Sequence, residues 1–214
     1  MSVQELTLDQ IRVAFRRPLP GLAAQLQLAP EYRIASLRAT PPANARPAGV
    51  LILLYPFRHE WHFPLIHRTD NGDDSHRGQI SLPGGSQESG ESLRQTALRE
   101  ACEEIGAAGR DIEVIGALSP IYIPPSNFLV TPTVGWVEQR PNFHCDSAEV
   151  AELIEVPLAT LFDPAVVRRE EWELRGMKVE VPFYQIGPHK VWGATAMILS
   201  EFSMVLTGKS PPRR

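Results

Sequence analysis

The sequence predicts a single α/β (α+β) domain built on a mixed sheet, entered through a short helix and a proline-rich arm. Three observations carry that expectation. The chain has 214 residues, 43% hydrophobic and 21% charged, which is enough for one packed core and excludes a wholly disordered chain. Short apolar runs bounded by turn residues lie on both sides of two helical stretches, as a mixed layer architecture requires. Twenty prolines, about twice the usual ~5%, limit helix length and impose abrupt turns.

Residues 5 to 15 read as an amphipathic helix: Thr7 followed by Gln10 resembles a capping box, and Leu6, Ile11, Ala14 and Phe15 share a face. Residues 17 to 47, punctuated by Pro18, Pro20, Pro30, Pro41, Pro42 and Pro47, read as an arm or linker over the main body. Val50–Tyr55 and Phe63–Ile66 are strand candidates. A helix is expected over 92–105, capped by Ser92 and Gln95 and stopped by Gly106. Extended segments follow at 112–118, 121–123, 128–137 and 150–156, then one helical turn at 158–162 and a strand pair or bent strand at 177–186. Residues 191–206, with Trp192, Ile198, Leu199, Phe202 and Val205, form the closing helix. The expected division is an arm over 1–47, the main domain over 48–208 and a solvated tail over 209–214.

A formal charge of −4 lacks the basic footprint of a nucleic-acid or membrane-surface binder. Cys102 and Cys145 are too few for a disulfide scaffold and too far apart for a zinc motif, and buried reduced thiols are expected. Glu5 and Asp9 precede any apolar run, so the start does not read as a secretory signal. The longest apolar run stops at Pro56, far short of the ~18 residues needed to cross a bilayer. A cytoplasmic protein is the expectation.

The 92–105 segment carries an unusual charge pattern. Leu93, Ala97, Leu98, Ala101 and Ile105 form one apolar face, and Glu100, Glu103 and Glu104 share an adjoining arc. Like charges at i, i+3 and i+4 cost a few tenths of a kcal/mol per pair. Near the helix C-terminus, the dipole opposes each anion by a further ~0.3 to 1 kcal/mol. A solvated acidic face would tolerate this. A cation site would exploit it: Arg99 supplies one positive charge, and Mg²⁺ binds carboxylates together with substrate phosphates. Glu104 lies at the edge of the apolar face and is expected to point into a cleft. Pro83-Gly84-Gly85 precedes the helix, and glycine there lets a carbonyl approach the acids closely.

Gly85, five residues, Glu91, seven residues, then Arg99-Glu100-Ala101-Cys102-Glu103-Glu104-Ile105-Gly106-Ala107 resembles the Nudix box, G-x5-E-x7-R-E-U-x-E-E-x-G-U. Every fixed position is filled, and alanine stands at both U positions. The resemblance implies the Nudix fold, a mixed β-sheet sandwiched between helices, with an N-terminal helical arm that in such proteins often serves as a homodimer contact. It implies that Glu100 and Glu104 bind the catalytic Mg²⁺ or Mn²⁺, joined by Glu103 and the carbonyl of Gly85, and that Glu91 pairs with Arg99. The implied reaction is metal-dependent pyrophosphate hydrolysis. Glu149 and Glu152 are candidates for the general base, with a solvated acid at a strand start as the alternative.

The segment before the box, Leu65-Ile-His-Arg-Thr69 to Gly78-Gln79-Ile-Ser-Leu-Pro-Gly-Gly85, resembles in part the signature of coenzyme A pyrophosphatases. Leu82 stands for Phe and Arg68-Thr69 for Arg-Ser, while Asp74 occupies the second Arg position. Tyr122-Ile-Pro-Pro-Ser-Asn-Phe128 resembles a turn of the same subfamily. Arg68, His76, Gln79, Ser126, Asn127 and Phe128 are therefore candidate substrate contacts. The alternatives are exposed loop residues at His76 and Arg77 and a plain turn at 124–127. The expected partner is a nucleoside diphosphate derivative, first coenzyme A or acyl-CoA, otherwise ADP-ribose, NADH or a dinucleoside polyphosphate. A third reading is a non-catalytic nucleotide sensor.

Overall fold

A computed structural model describes residues 6–70, 78–174 and 176–209. The chain divides into two compact units: a sheet unit, Pro41–Leu158, and a terminal unit made of Met1–Thr40 and Ala159–Arg214. The expected arm-then-domain layout places its boundary at 47, inside the first strand. Residues 159 onward group with the N-terminal helices.

In the terminal unit, helix α1 (Leu8–Ala14) begins at the expected capping box, with Thr7 and Gln10 each accepting from the other's backbone N–H. The expected arm is helical: α2 (Leu22–Gln25), 3-10 turns at Leu26–Leu28 and Glu31–Arg33, and α3 (Ile34–Arg38) fill the intervals between prolines. Pro20, Pro30 and Pro41 bound these helical stretches without preventing a turn or two of helix between them.

The sheet unit runs β1 (Arg46–Phe57), β2 (Glu60–Arg68), β3 (Ile80–Ser81), β4 (Gly84–Ser86), α4 (Leu93–Ile105), β5 (Glu113–Ala117), β6 (Ile121–Ile123), β7 (Phe128–Trp136) and β8 (Val150–Pro157). The order is β3-β2-β1-β7-β5, with β4 also on β1, β6 on β7 and β8 on β2. β1 and β7 are parallel and the other pairs antiparallel, so the sheet is mixed, as expected. Leu51, Leu53 and Tyr55 of β1 form one core with Ala97, Ala101 and Ile105 of α4. Full burial of Ile105 alone contributes about 2 kcal/mol. This packing fixes α4 on the sheet and decides where its acids can point.

The terminal unit resumes at Ala159, within the expected turn at Leu158–Phe162, and continues with β9 (Val167–Leu174), β10 (Met177–Ile186), β11 (His189–Trp192) and α5 (Gly193–Thr207). The strand expected to pair with itself or bend over 177–186 is one strand, flanked by β9 and β11. Trp192 is the N-cap of α5 and lies outside the helix. Among the described residues no helix is long and apolar enough to cross a membrane. Both cysteines are free and exposed, which corrects the expected burial. Cys102 lies outside the set Thr96, Ala97, Ala101, Glu104 and Ile105 that α4 buries.

Candidate active site

Helix α4 starts at the expected capping box, Ser92 with Gln95, and ends at Gly106 with φ 71°. The free carbonyls of its last turn are met by the 144–146 segment: His144 N–H donates to Ile105 (3.0 Å) and Asp146 N–H to Glu104 (3.0 Å). The Asp146 carbonyl in turn accepts from the N–H groups of Glu149 (3.1 Å) and Val150 (2.8 Å). Glu149 is thereby tied to the end of the acidic helix, 45 positions from Glu104 in sequence.

Arg99 organises one side. Its Nε and Nη2 donate to the two oxygens of Glu91 (2.8 and 3.3 Å), its Nη1 to Glu100 (3.0 Å) and Glu103 (2.9 Å), and its Nη2 also to the Ser86 carbonyl (3.0 Å). Glu91 further accepts from Thr96 Oγ1 (3.0 Å) and Glu88 N–H (3.2 Å). The Arg99 hydrogen bonds, with these lesser donors, hold the Glu91 carboxyl down to about 2. The Glu91–Arg99 pair implied by the box is thus present, and it anchors the loop before α4 to the helix.

Glu104 organises the other side. Its side chain is 2% exposed, and desolvation pushes its carboxyl up to about 7 against the opposing pull of Gly84 N–H and Arg68, with the charges of Glu100 and Glu149 adding to the rise. Oε2 accepts from Gly84 N–H (2.8 Å) and Oε1 from Arg68 Nη1 (2.9 Å). Burial also raises Glu100, again with help from Glu103 and Glu149.

Two glycines make this convergence possible. Gly84 has φ 154°, and a Cβ there would collide with the carbonyl of Gly49 and with Val50 on β1. A Cβ on Gly85 would stand 2.5 Å from Glu100 Oε1 and 2.7 Å from Oε2, so the Glu100 carboxylate occupies the space that any side chain at 85 would take. Glu100 and Glu104 therefore bracket the Gly84–Gly85 peptide.

Glu103 does not join them. Its side chain is 58% exposed and turned to Arg99. Among the described residues no group of three or more His, Cys, Asp or Glu side chains converges to hold a metal ion. Two half-buried to buried carboxylates beside the glycines of β4 nevertheless fit a hard cation that takes one or two protein carboxylates and completes its shell with water and phosphate oxygens. Both acids are raised by burial, and a cation would offset that cost.

Of the two candidates for the general base, Glu149 stands with the acids: its Oε2 is 3.9 Å from Arg68 Nη2, its side chain is 53% exposed, and its charge is felt at Glu100 and Glu104. Glu152 lies opposite His67 on the β2–β8 ladder.

The expected substrate contacts separate. Arg68 is turned to Glu104 and Glu149. Gln79 is half-buried, and its carbonyl accepts from Arg68 N–H (3.1 Å). His76, with Asp74 and Arg77, lies outside the described residues. In the 124–127 turn, Asn127 has φ 55°, accepts from Tyr122 OH (2.9 Å) and donates to the Asn44 carbonyl (2.9 Å), which fixes the turn. Ser126 Oγ is buried and meets no hydrogen-bond partner among the described residues. Phe128 lies beneath the guanidinium of Arg46, 4.3 Å from the ring centroid, and Arg46 Nη2 donates to Ser86 Oγ (3.1 Å). Arg46 so links the turn to the strand that carries Gly85. Sequence reasoning missed Arg46 because it sits in the proline-rich stretch read as linker.

The geometry first defines a class. Carboxylates gathered on one helix end against the glycines of a short strand, with arginines limiting their repulsion, suit cation-assisted cleavage of a phosphoanhydride. Residues 45–175, more than half of the chain, match the NUDIX domain. The chain belongs to the Nudix hydrolases, enzymes that act on pyrophosphate bonds and generally need a divalent cation. It is similar to the "Uncharacterized Nudix hydrolase NudL" of Pectobacterium atrosepticum, 33% identical over 191 residues, 86% of this chain and 92% of that protein. It is also similar to the human "Mitochondrial coenzyme A diphosphatase NUDT8", 32% identical over 199 residues, 89% of this chain and 75% of that one. Among solved structures, the Nudix hydrolase RenU from M. smegmatis superposes with a TM-score of 0.54 at 17% identity, covering 79% of this chain and 91% of that chain. That likeness carries the fold.

Proposed function

We propose that this Nudix pyrophosphatase cleaves the diphosphate of coenzyme A or its thioesters, giving adenosine 3′,5′-bisphosphate and the phosphopantetheine species, with Mg²⁺ or Mn²⁺ as the cation. The observation that carries the substrate is the similarity, over most of the chain, to a relative named as a coenzyme A diphosphatase. The partial signature from Leu65 to Gly85 and the Tyr122–Phe128 turn support it.

In this reading Glu100, Glu104 and the Gly85 carbonyl hold the cation, which when bound neutralises the diphosphate and favours attack by water. Arg99, held by Glu91, positions Glu100 through a direct hydrogen bond. Glu103 serves the site through Arg99. Glu149, half-exposed beside Glu104, accepts the proton of the attacking water. One P–O bond forms to that water, the bridging P–O bond breaks, and the leaving phosphate takes the electron pair. The Arg46–Phe128 stack offers a cationic and aromatic surface linked to strand β4, chemistry suited to an adenine ring or a 3′-phosphate.

A substrate panel tests the assignment: coenzyme A, acetyl-CoA, ADP-ribose, NADH and dinucleoside polyphosphates, each with Mg²⁺ or Mn²⁺, with products separated by chromatography. Release of adenosine 3′,5′-bisphosphate from coenzyme A is expected at a higher kcat/KM than turnover of the others. No turnover of coenzyme A would overturn the substrate, and no turnover of any member would favour a sensor.

A further inference from the structure

Arg68 holds an unexpected place. At the end of β2 the ladder with β8 shifts register between His67 and Arg68, and such a bulge re-aims the side chain that follows it. The backbone on either side is pinned: Arg68 N–H donates to the Gln79 carbonyl (3.1 Å), Thr69 N–H to Glu149 (3.0 Å), and Thr69 Oγ1 to Ala148 (2.9 Å). The guanidinium is thereby delivered to Glu104 Oε1 (2.9 Å), with its other amino group 3.9 Å from Glu149 Oε2.

Both oxygens of Glu104 are thus engaged, one by a main-chain N–H and one by a side-chain cation. The main-chain donor belongs to the strand pairing of β4 with β1 and cannot withdraw. The arginine can. We propose that Arg68 is a resident counter-cation of the Glu104 carboxylate, one that competes with the divalent ion for Oε1 and gives way when the ion enters. This inference rests on the reading of Glu104 as a cation ligand. A carboxylate so deeply buried would be costly without compensation, and two cations cannot share one oxygen without strong mutual repulsion in a poorly solvated site. The arginine therefore keeps the carboxylate in place when the ion is absent and weakens the ion's hold when it arrives. The direction is opposite to that of an arginine that holds Glu104 in its ligating position, whose loss would lower ion affinity.

The test is Mn²⁺ binding without substrate, read by the EPR signal of free Mn²⁺ at about pH 8, where carboxylates are ionised in most settings. The wild type, Arg68→Met and Glu104→Gln are compared. Arg68→Met is expected to bind Mn²⁺ about fivefold or more tightly, and Glu104→Gln about tenfold or more weakly, than the wild type. If Glu104→Gln binds like the wild type, the ligand reading falls and takes this inference with it. If Glu104→Gln loses affinity while Arg68→Met is unchanged or weaker, the inference alone is overturned. Should Arg68→Met not fold, the wild-type protein decides: the guanidinium ¹⁵N resonance of Arg68, assigned through Arg68→Lys, is expected to shift on Mg²⁺ addition, and a resonance that stays fixed at Mg²⁺ saturation overturns the proposal.

Discussion

Glu104 sits where two requirements oppose each other: burial favours its neutral acid, and cation binding needs its anion. With its carboxyl pushed up to about 7 by desolvation, the folded protein holds a proton there that the unfolded chain has released above the usual carboxylate range. The sign follows from that difference: without cation, the contribution of Glu104 to stability falls as pH rises from about 4.5 to 7. Cation binding runs the other way, because the proton must leave first. Mn²⁺ affinity is expected to climb up to about tenfold per pH unit below 7 and to level off above it. Titrations at several pH values check this. A profile flat across about pH 6 to 8 would contradict it, and Glu104→Gln is expected to weaken the dependence, with Glu100, also raised by burial, left to carry the rest. Glu91 shows the contrasting case: held down to about 2 by Arg99, it stays ionised through this window and contributes nothing to the slope.

At the scale of elements, the site depends on how closely β4 comes to α4. Gly85 is the contact point, since the Glu100 carboxylate fills its missing side chain. Gly85→Ala needs no unusual backbone angle, so its effect should be confined to displacing Glu100. A loss of about 10²-fold in kcat/KM is expected, in keeping with the cost of ångström-scale misplacement, with a melting temperature within a few degrees of wild type. Activity within about threefold of wild type would show that Glu100 tolerates the shift. Of the two elements in this contact, α4 was legible in sequence because its signals are local, the Ser92–Gln95 box, the periodic apolar face and Gly106, whereas the three-residue strand β4 was read only as the approach to the helix. What was not legible is equally physical. The Arg68–Glu104 contact spans 36 positions and depends on a bulge that no residue pattern announces. Strand β9 was missed because Arg168, Arg169, Glu170 and Glu171 give it no apolar alternation, and in the structure half of its residues are exposed. The proline-rich stretch was read as linker because breakers outweigh the short helical runs between them.

The whole molecule is organised differently from an arm followed by a domain, and the difference has a consequence at the chain ends. In the terminal unit, Ile11, Ala24 and Leu28 from the N-terminal part are almost wholly buried, and Phe15 packs against Phe202 with ring centroids 6.3 Å apart. Two buried polar contacts cross the same boundary: Gln25 Nε2 donates to Glu201 Oε2 (2.9 Å), and Ser200 Oγ to the Ala24 carbonyl (2.7 Å). Each such bond contributes about 1 kcal/mol, more where a charge is involved, and leaving a buried partner unsatisfied costs about 1 to 3 kcal/mol. Helix α5 therefore depends on residues 176 positions away. A dispensable arm could be deleted at little cost; an integral half of a unit could not. Deletion of residues 1–40 is expected to expose Glu201 and Phe202, both fully buried in the intact chain, and to make 159–209 the first region cut in limited proteolysis. Mass spectrometry of the early fragments reads the result. Protection of 159–209 equal to that in the intact chain would return the N-terminal helices to the status of an arm. The milder change Gln25→Ala should lower the unfolding free energy by about 1 to 3 kcal/mol, because it leaves one oxygen of a buried carboxylate without its amide donor while removing little apolar area.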